Sequence, residues 1–199
     1  MDRQAGLKIV DEFVKDRGLR RHMLAVEAAM RFYAAKLGGD AETWGLAGLV
    51  HDFDWEIHPD LAKHPKDGGP ILAERGVSPE VVQAVLAHNT EHTGVERKAP
   101  MDFALLACDE ITGLIVATAL VRPTKDIREV KVKSVKDKWK QKSFAAGVDR
   151  ALAERAAAEF SAACFSGALD LWTHVGNVLE AMQGIAADLN LAGQASPAA

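Results

Sequence analysis

Apolar residues recur at helical spacing along nearly the whole chain, and this periodicity restricts the fold more than any other feature. Leu7, Val10, Phe13 and Val14 mark one face of a first helix, expected to stop near Gly18. A second is expected from Leu19 to Leu37, ending at Gly38-Gly39. Asp40 reads as the cap of a third, which carries Trp44, Leu46, Leu49 and Val50. Pro59 and Pro65 bracket a loop holding His58 and His64, and a short helix follows over 67–75. Ser78-Pro79-Glu80 is a helix start, with Pro at the first helical position, and that helix runs to about His88. NTEHTGVERKA reads as a loop. Pro100 opens the most apolar helix, Met101 to about Val121, closed by Pro123. Period-two alternation is rare, and 127–132 is the best candidate for an extended piece. Ser134 with Asp137 resembles a capping box. Residues 149–191 read as two helices split near Ser166-Gly167, and the closing GQASPAA as a frayed tail. The expectation is an all-α bundle.

Aromatic residues at 6 % and a wealth of alanine agree with that. A net charge of -4 argues against a general nucleic-acid binder. Cys108 and Cys164 lie in apolar helical contexts and read as buried thiols rather than a disulfide framework. No stretch reaches the roughly 18 uninterrupted apolar residues of a membrane span. The amphipathic start MDRQAGLKIVDEF does not read as a signal peptide. The expectation is a cytoplasmic protein with no membrane partner, and self-association stays open.

His51-Asp52 closes the apolar helix GLAGLVHD, and His22 lies near the start of the preceding helix. Asp109 sits in the middle of the most apolar helix, between LLAC and ITGLIVA, where a carboxylate is costly unless paired or bound to metal. Two imidazoles and two carboxylates suit a divalent transition metal: Mn, Fe, Co, Ni or Zn. Such an ion would polarise a phosphoryl oxygen and lower the pKa of water toward 7. The bland alternative is a His-Asp hydrogen bond ending one helix, with Asp109 as a buried local cap.

The order His22, His51-Asp52, Asp109, each on a separate helix, resembles the HD superfamily of metal-dependent phosphohydrolases. The intervals fit, with 29 residues from His22 to His51 and 57 from Asp52 to Asp109. The phrases AVEAAMR, WGLAGLVHDFDWE, DEITGLIVATALVRP and KSFAAGVDR are also similar to bacterial HD-domain putative hydrolases. The resemblance implies an HD-type helical bundle with additional C-terminal helices. The expected organisation is one helical domain over 1–199, its HD core at about 19–125, a basic segment at 122–150 and C-terminal helices at 149–191. It also implies His22, His51, Asp52 and Asp109 as ligands, Asp52 orienting the attacking water, and a phosphorylated small molecule, a nucleotide or other phosphomonoester, as substrate. Relatives with two metals take further histidines from the segment between the pair and the last Asp. His64 and His88 are the candidates for that second ion or for the pocket, and a cationic His at a helix end is the alternative. His58 and His92 read as solvated, and His174 as structural.

Where many HD proteins continue the pair with Gly and Lys, this chain reads HDFDWE. Glu56 is therefore the candidate general acid or base, against a plain loop acid like Asp54. Residues 122–150 hold 10 of the 24 Lys and Arg. Arg122, Lys125 and Lys133 are the expected phosphate contacts, against a solvated helix face. Thr112-Gly113 is read as a packing feature. Two rival functions remain: a metal-binding regulatory HD module without turnover, and an HD-type di-iron oxygenase.

Overall fold

The computed structural model describes residues 1–193; residues 194–199, most of the segment expected to fray, lie outside the described part. Among the described residues there are ten helices and no strand, as the periodicity required. They are α1 (Arg3–Phe13), α2 (Arg17–Leu37), α3 (Ala41–Val50), α4 (Gly68–Glu74), α5 (Pro79–Ala87), α6 (Thr90–Thr93), α7 (Pro100–Leu120), α8 (Val132–Trp139), α9 (Arg150–Phe165) and α10 (Leu171–Gly184).

Capping chemistry sets most boundaries. Asp2, Asp16, Asp40, Asp149 and Asp170 each accept a backbone N–H of the helix that follows, and Gly38 closes α2 in the left-handed conformation at φ 72°. Four expectations are corrected. Gly18 does not end α1; the break falls at 14–16, because Asp16 caps α2 and starts it two residues earlier, at Arg17. The segment NTEHTGVERKA contains the single turn α6, closed by Gly94. The expected extended piece is a 3-10 turn, Ile127–Glu129, whose Asp126 makes one backbone pairing with Ala192. Ser134 lies inside α8 and does not cap it; the helix starts at Val132 without a side-chain cap.

α7 runs through the middle, packed by α2, α5, α8, α9 and α10. By length and composition it is apolar enough to cross a membrane. Its Leu105, Leu114 and Ile115 are instead fully buried against those neighbours. α2 and α3 pack most extensively. A Cβ built on Gly48 would lie 2.8 Å from the backbone nitrogen of Glu27, so the two helices touch backbone to backbone there. That approach fixes His22 on α2 beside His51 at the end of α3.

A buried polar network ties α2, α7 and α10. Tyr33 Oη donates to His174 Nδ1 (2.6 Å), His174 Nε2 donates to Ala107 O (2.8 Å), and Asn177 donates to Tyr33 Oη (3.1 Å). His174 is structural, as expected. Burial pushes its pKa down to about 4, which keeps it neutral. Cys108 and Cys164 are free thiols; Cys108 is buried and Cys164 only partly so.

Candidate metal centre

Four histidines and two aspartates converge where α2, α3, α5 and α7 meet. His22 Nε2 lies 2.9 Å from Asp109 Oδ1, 3.4 Å from Asp52 Oδ2 and 3.1 Å from His51 Nε2. His51 Nε2 lies 3.4 Å from Asp52 Oδ1 and 3.6 Å from Asp109 Oδ1. His64 Nε2 lies 3.2 Å from both Asp52 Oδ1 and His88 Nε2, and His88 Nε2 is 3.8 Å from Asp52 Oδ1. Two triads thus share Asp52: His22, His51 and Asp52, with Asp109 alongside, and Asp52, His64 and His88. Ligands about 2.0–2.1 Å from one ion stand roughly 2.9–3.4 Å apart in octahedral or tetrahedral geometry. The donor spacings bracket that range.

The outer hydrogen bonds decide which nitrogens are free. His51 Nδ1 donates to Gly48 O and His88 Nδ1 to Val85 O, each reaching back one helical turn. His64 Nδ1 donates to Asp54 Oδ1 at 2.7 Å. Thr112 spends its hydroxyl proton on Asp109 O, so its oxygen accepts from His22 Nδ1 at 3.0 Å. With every Nδ1 carrying its proton outward, all four Nε2 lone pairs face inward. In the pairs His22–His51 and His64–His88, lone pairs meet at hydrogen-bond distance. Such a cluster needs protons or cations between its donors, and the donor set fits divalent transition ions.

Without metal, protons take that role. Burial opposes a charge on His22, but hydrogen bonds to Asp109 and Asp52 raise its pKa to about 9. Burial likewise opposes and Asp52 and Asp54 raise His64 to about 9, while burial and the charge of His51 lower His88 to about 4. Asp52 and Asp109 are held well below the usual carboxylate range; burial opposes this, and the facing histidines outweigh it. A histidine raised from near 6.5 stabilises the fold fully below that value and loses the contribution as pH climbs through about 9. The metal-free chain should therefore melt at lower temperature at pH 9.5 than at pH 6. Metal must displace these protons, so Mn²⁺ affinity should rise about tenfold per pH unit for each proton displaced. Titrations from pH 6 to 9 check this.

Asp54 is a partner the sequence reading passed over. It is fully buried, and a Cβ on Gly68 at the start of α4 would fall 2.4 Å from its Oδ2. Gly68→Ala should displace Asp54 and with it His64. The expected result is a loss of about 1–3 kcal/mol and a weakened second ion, read by thermal melting and Mn²⁺ stoichiometry.

Asp52, His64, His88 and Asp109 of the cluster form the floor of a cavity of about 690 Å³, whose walls include Trp55, Leu61, Arg97, Leu106, Glu110, Asp149, Leu152 and Arg155. Burial, Asp109 and Asp149 push Glu110 up to about 8. Trp55 stands edge-on to His64 with ring centroids 5.0 Å apart. His92, expected in solvent, is exposed at the cavity rim and bonded to Asn89.

Glu56 is not brought to this cavity. Its Oε1 accepts the backbone N–H groups of Lys15 (2.8 Å) and Asp16 (2.7 Å), so it pins the loop before α2. Arg122, Lys125 and Lys133 do not line the cavity either. α7 is rigid, and the thirteen residues from Asp109 to Arg122 carry the chain roughly 20 Å along the helix axis. Arg122 pairs with Glu129 at 3.2 Å. The cavity's guanidiniums are instead Arg97, in the loop before α7, and Arg155 on α9. No motif marks either, though Leu152, Arg155 and Glu159 share one face of α9 at helical spacing.

The HD domain profile matches residues 19–121, just over half of the chain. The chain belongs to the HD-domain family. The HD segment contains all six converging residues. A stretch of 94 residues, 47 % of the chain, is 28 % identical to ribonuclease Y of Oleidesulfovibrio alaskensis. That match covers 18 % of ribonuclease Y, so the chain spans a small part of this curated relative's length. No solved structure matches the chain.

Proposed function

We propose that this HD protein is a metal-dependent phosphohydrolase acting on a phosphorylated small molecule, a nucleotide or related phosphomonoester. The observation that carries the reading is the pair of triads whose shared Asp52 lines, with His64, His88 and Asp109, the floor of a cavity of about 690 Å³, a size that suits a small metabolite. His22, His51, Asp52 and Asp109 would hold one divalent ion, and His64 and His88 would complete a second site with Asp52. When bound, such ions would supply Lewis-acid polarisation of a phosphoryl oxygen and a reactive water at neutral pH. Asp52 sets the spacing of the two sites and orients the nucleophile. Thr112, Asp54, Gly48 O and Val85 O hold the imidazoles in the tautomer that ligation needs. Glu56 is spent on backbone amides, so Glu56→Gln should leave turnover within about threefold of wild type, whereas a proton-transfer role would cost about 100-fold or more.

The test is a screen of phosphorylated metabolites with Mn²⁺, Co²⁺ and Ni²⁺, reading phosphate release. The second triad also supports a di-iron oxygenase as a second reading. Iron content near two per chain with oxygen consumption, and no phosphate release, would favour it.

A further inference from the structure

The cavity has two origins. Its floor comes from the HD segment, which ends at residue 121, while Asp149, Leu152, Arg155 and Glu159 of the opposite wall lie beyond that segment. α9 packs on α7, and this brings its face of Leu152, Arg155 and Glu159 over Asp109. The metal floor thus lies inside the segment that matches the HD family, and the α9 wall lies outside it.

The two guanidiniums of the wall differ in their freedom. Arg97 is engaged: Nη1 donates to Ala87 O (3.1 Å) and Thr90 Oγ1 (3.0 Å), and Nη2 to Glu159 Oε2 (2.9 Å). It buckles α5, α6 and α9 together. Among the described residues the Arg155 side chain makes no hydrogen bond. Its nearest anion is Glu91 on α6, at 3.6 Å, and the two side chains are 54 % and 79 % exposed. An exposed pair at that separation is weakly held. A phosphate or carboxylate offers the planar guanidinium a paired, charge-assisted contact, and Glu91 is free to swing into water when it arrives.

We propose that Arg155 reads a second anionic group on the substrate, a phosphate or carboxylate on the end away from the metal triads. The first anion is placed by the phosphohydrolase reading, on which this inference rests. Leu61, Leu106, Leu152 and Trp55 line the same cavity and offer apolar surface to the substrate's less polar middle. The substrate class is a phosphomonoester with two anionic ends, selected by α9 rather than by the metals.

The test measures binding by calorimetry on Mn²⁺-loaded protein and follows phosphate release in parallel. One pair of probes is adenosine 5′-monophosphate and adenosine 3′,5′-bisphosphate; the other is glycerol 3-phosphate and 3-phosphoglycerate. Wild type should prefer the doubly anionic member of at least one pair by about tenfold or more. The pair that shows the preference names the second group as phosphate or carboxylate. Arg155→Gln should bring that ratio close to one, and Arg155→Lys should retain part of it. Glu91→Gln should widen it, because the competing carboxylate is gone. If Arg155 only ties α6 to α9, Arg155→Gln and Glu91→Gln will move the ratio the same way, and the proposal fails. It also fails if wild type shows no preference in either pair, or binds none of the four. Phosphate release without an Arg155-dependent preference overturns this inference and leaves hydrolysis standing. A preference that depends on Arg155 without phosphate release does the reverse.

Discussion

Asp52→Ala is expected to empty both triads at once. Its Oδ2 faces His22, and its Oδ1 faces His51, His64 and His88, so no other side chain serves both sites. Removing it leaves four inward Nε2 lone pairs with only Asp109 for company. Metal content should fall from two ions per chain to well below one, and phosphate release by about 1,000-fold or more, since each ion supplies several kcal/mol of charge stabilisation. The melting temperature should also stop responding to added Mn²⁺, because stabilisation by a ligand needs a site in the folded state. Elemental analysis, phosphate release and thermal melting read the three effects. Full occupancy in this variant would remove Asp52 from the site.

His64→Ala separates the triads. It removes one imidazole from the second and leaves all four ligands of the first in place, Asp52 losing only its contact with His64. The expected content is one ion per chain, with turnover reduced by about 100-fold, as the second ion's share of charge stabilisation disappears. His88→Ala should behave alike. Asp54→Asn should give a milder version, because it weakens the hydrogen bond that orients His64 and leaves the ligand present. Two ions retained in His64→Ala would show that the second triad is a proton-sharing polar cluster and not a metal site.

The all-α fold and the floor of the centre were legible in the chain because both rest on local signals. Helical spacing and capping aspartates report where a helix runs and which face it buries. A carboxylate in the middle of α7 reports that something must compensate it, and histidines at helix ends report where partners stand. Those signals place His22, His51, Asp52 and Asp109 together, and they bring His64 and His88 within reach. The walls were not legible, for a geometric reason. Arg122 follows Asp109 along a rigid helix, so closeness in sequence becomes distance in space. Arg155 lies 46 positions beyond Asp109 and reaches the cavity only because α9 folds back on α7. In HDFDWE, the helix-like turns over 51–57 place residues two apart on opposite faces, so Asp54 goes into the core under His64 and Glu56 outward to Lys15 and Asp16, and no pattern of residue types foretold which acid would turn inward. Thr112 looked like a packing residue because its role depends on His22, which comes from another helix.

Hydrolysis of a phosphate ester by two ions that share Asp52 is open to direct measurement. The most direct measurement is phosphate release from a panel of phosphorylated metabolites by Mn²⁺-loaded wild type, with metal content determined on the same sample and Asp52→Ala beside it. The expected result is two ions per chain, release from at least one phosphomonoester, and neither in Asp52→Ala. Release of equal size from Asp52→Ala, or a wild type that holds two ions and releases phosphate from nothing, would contradict it.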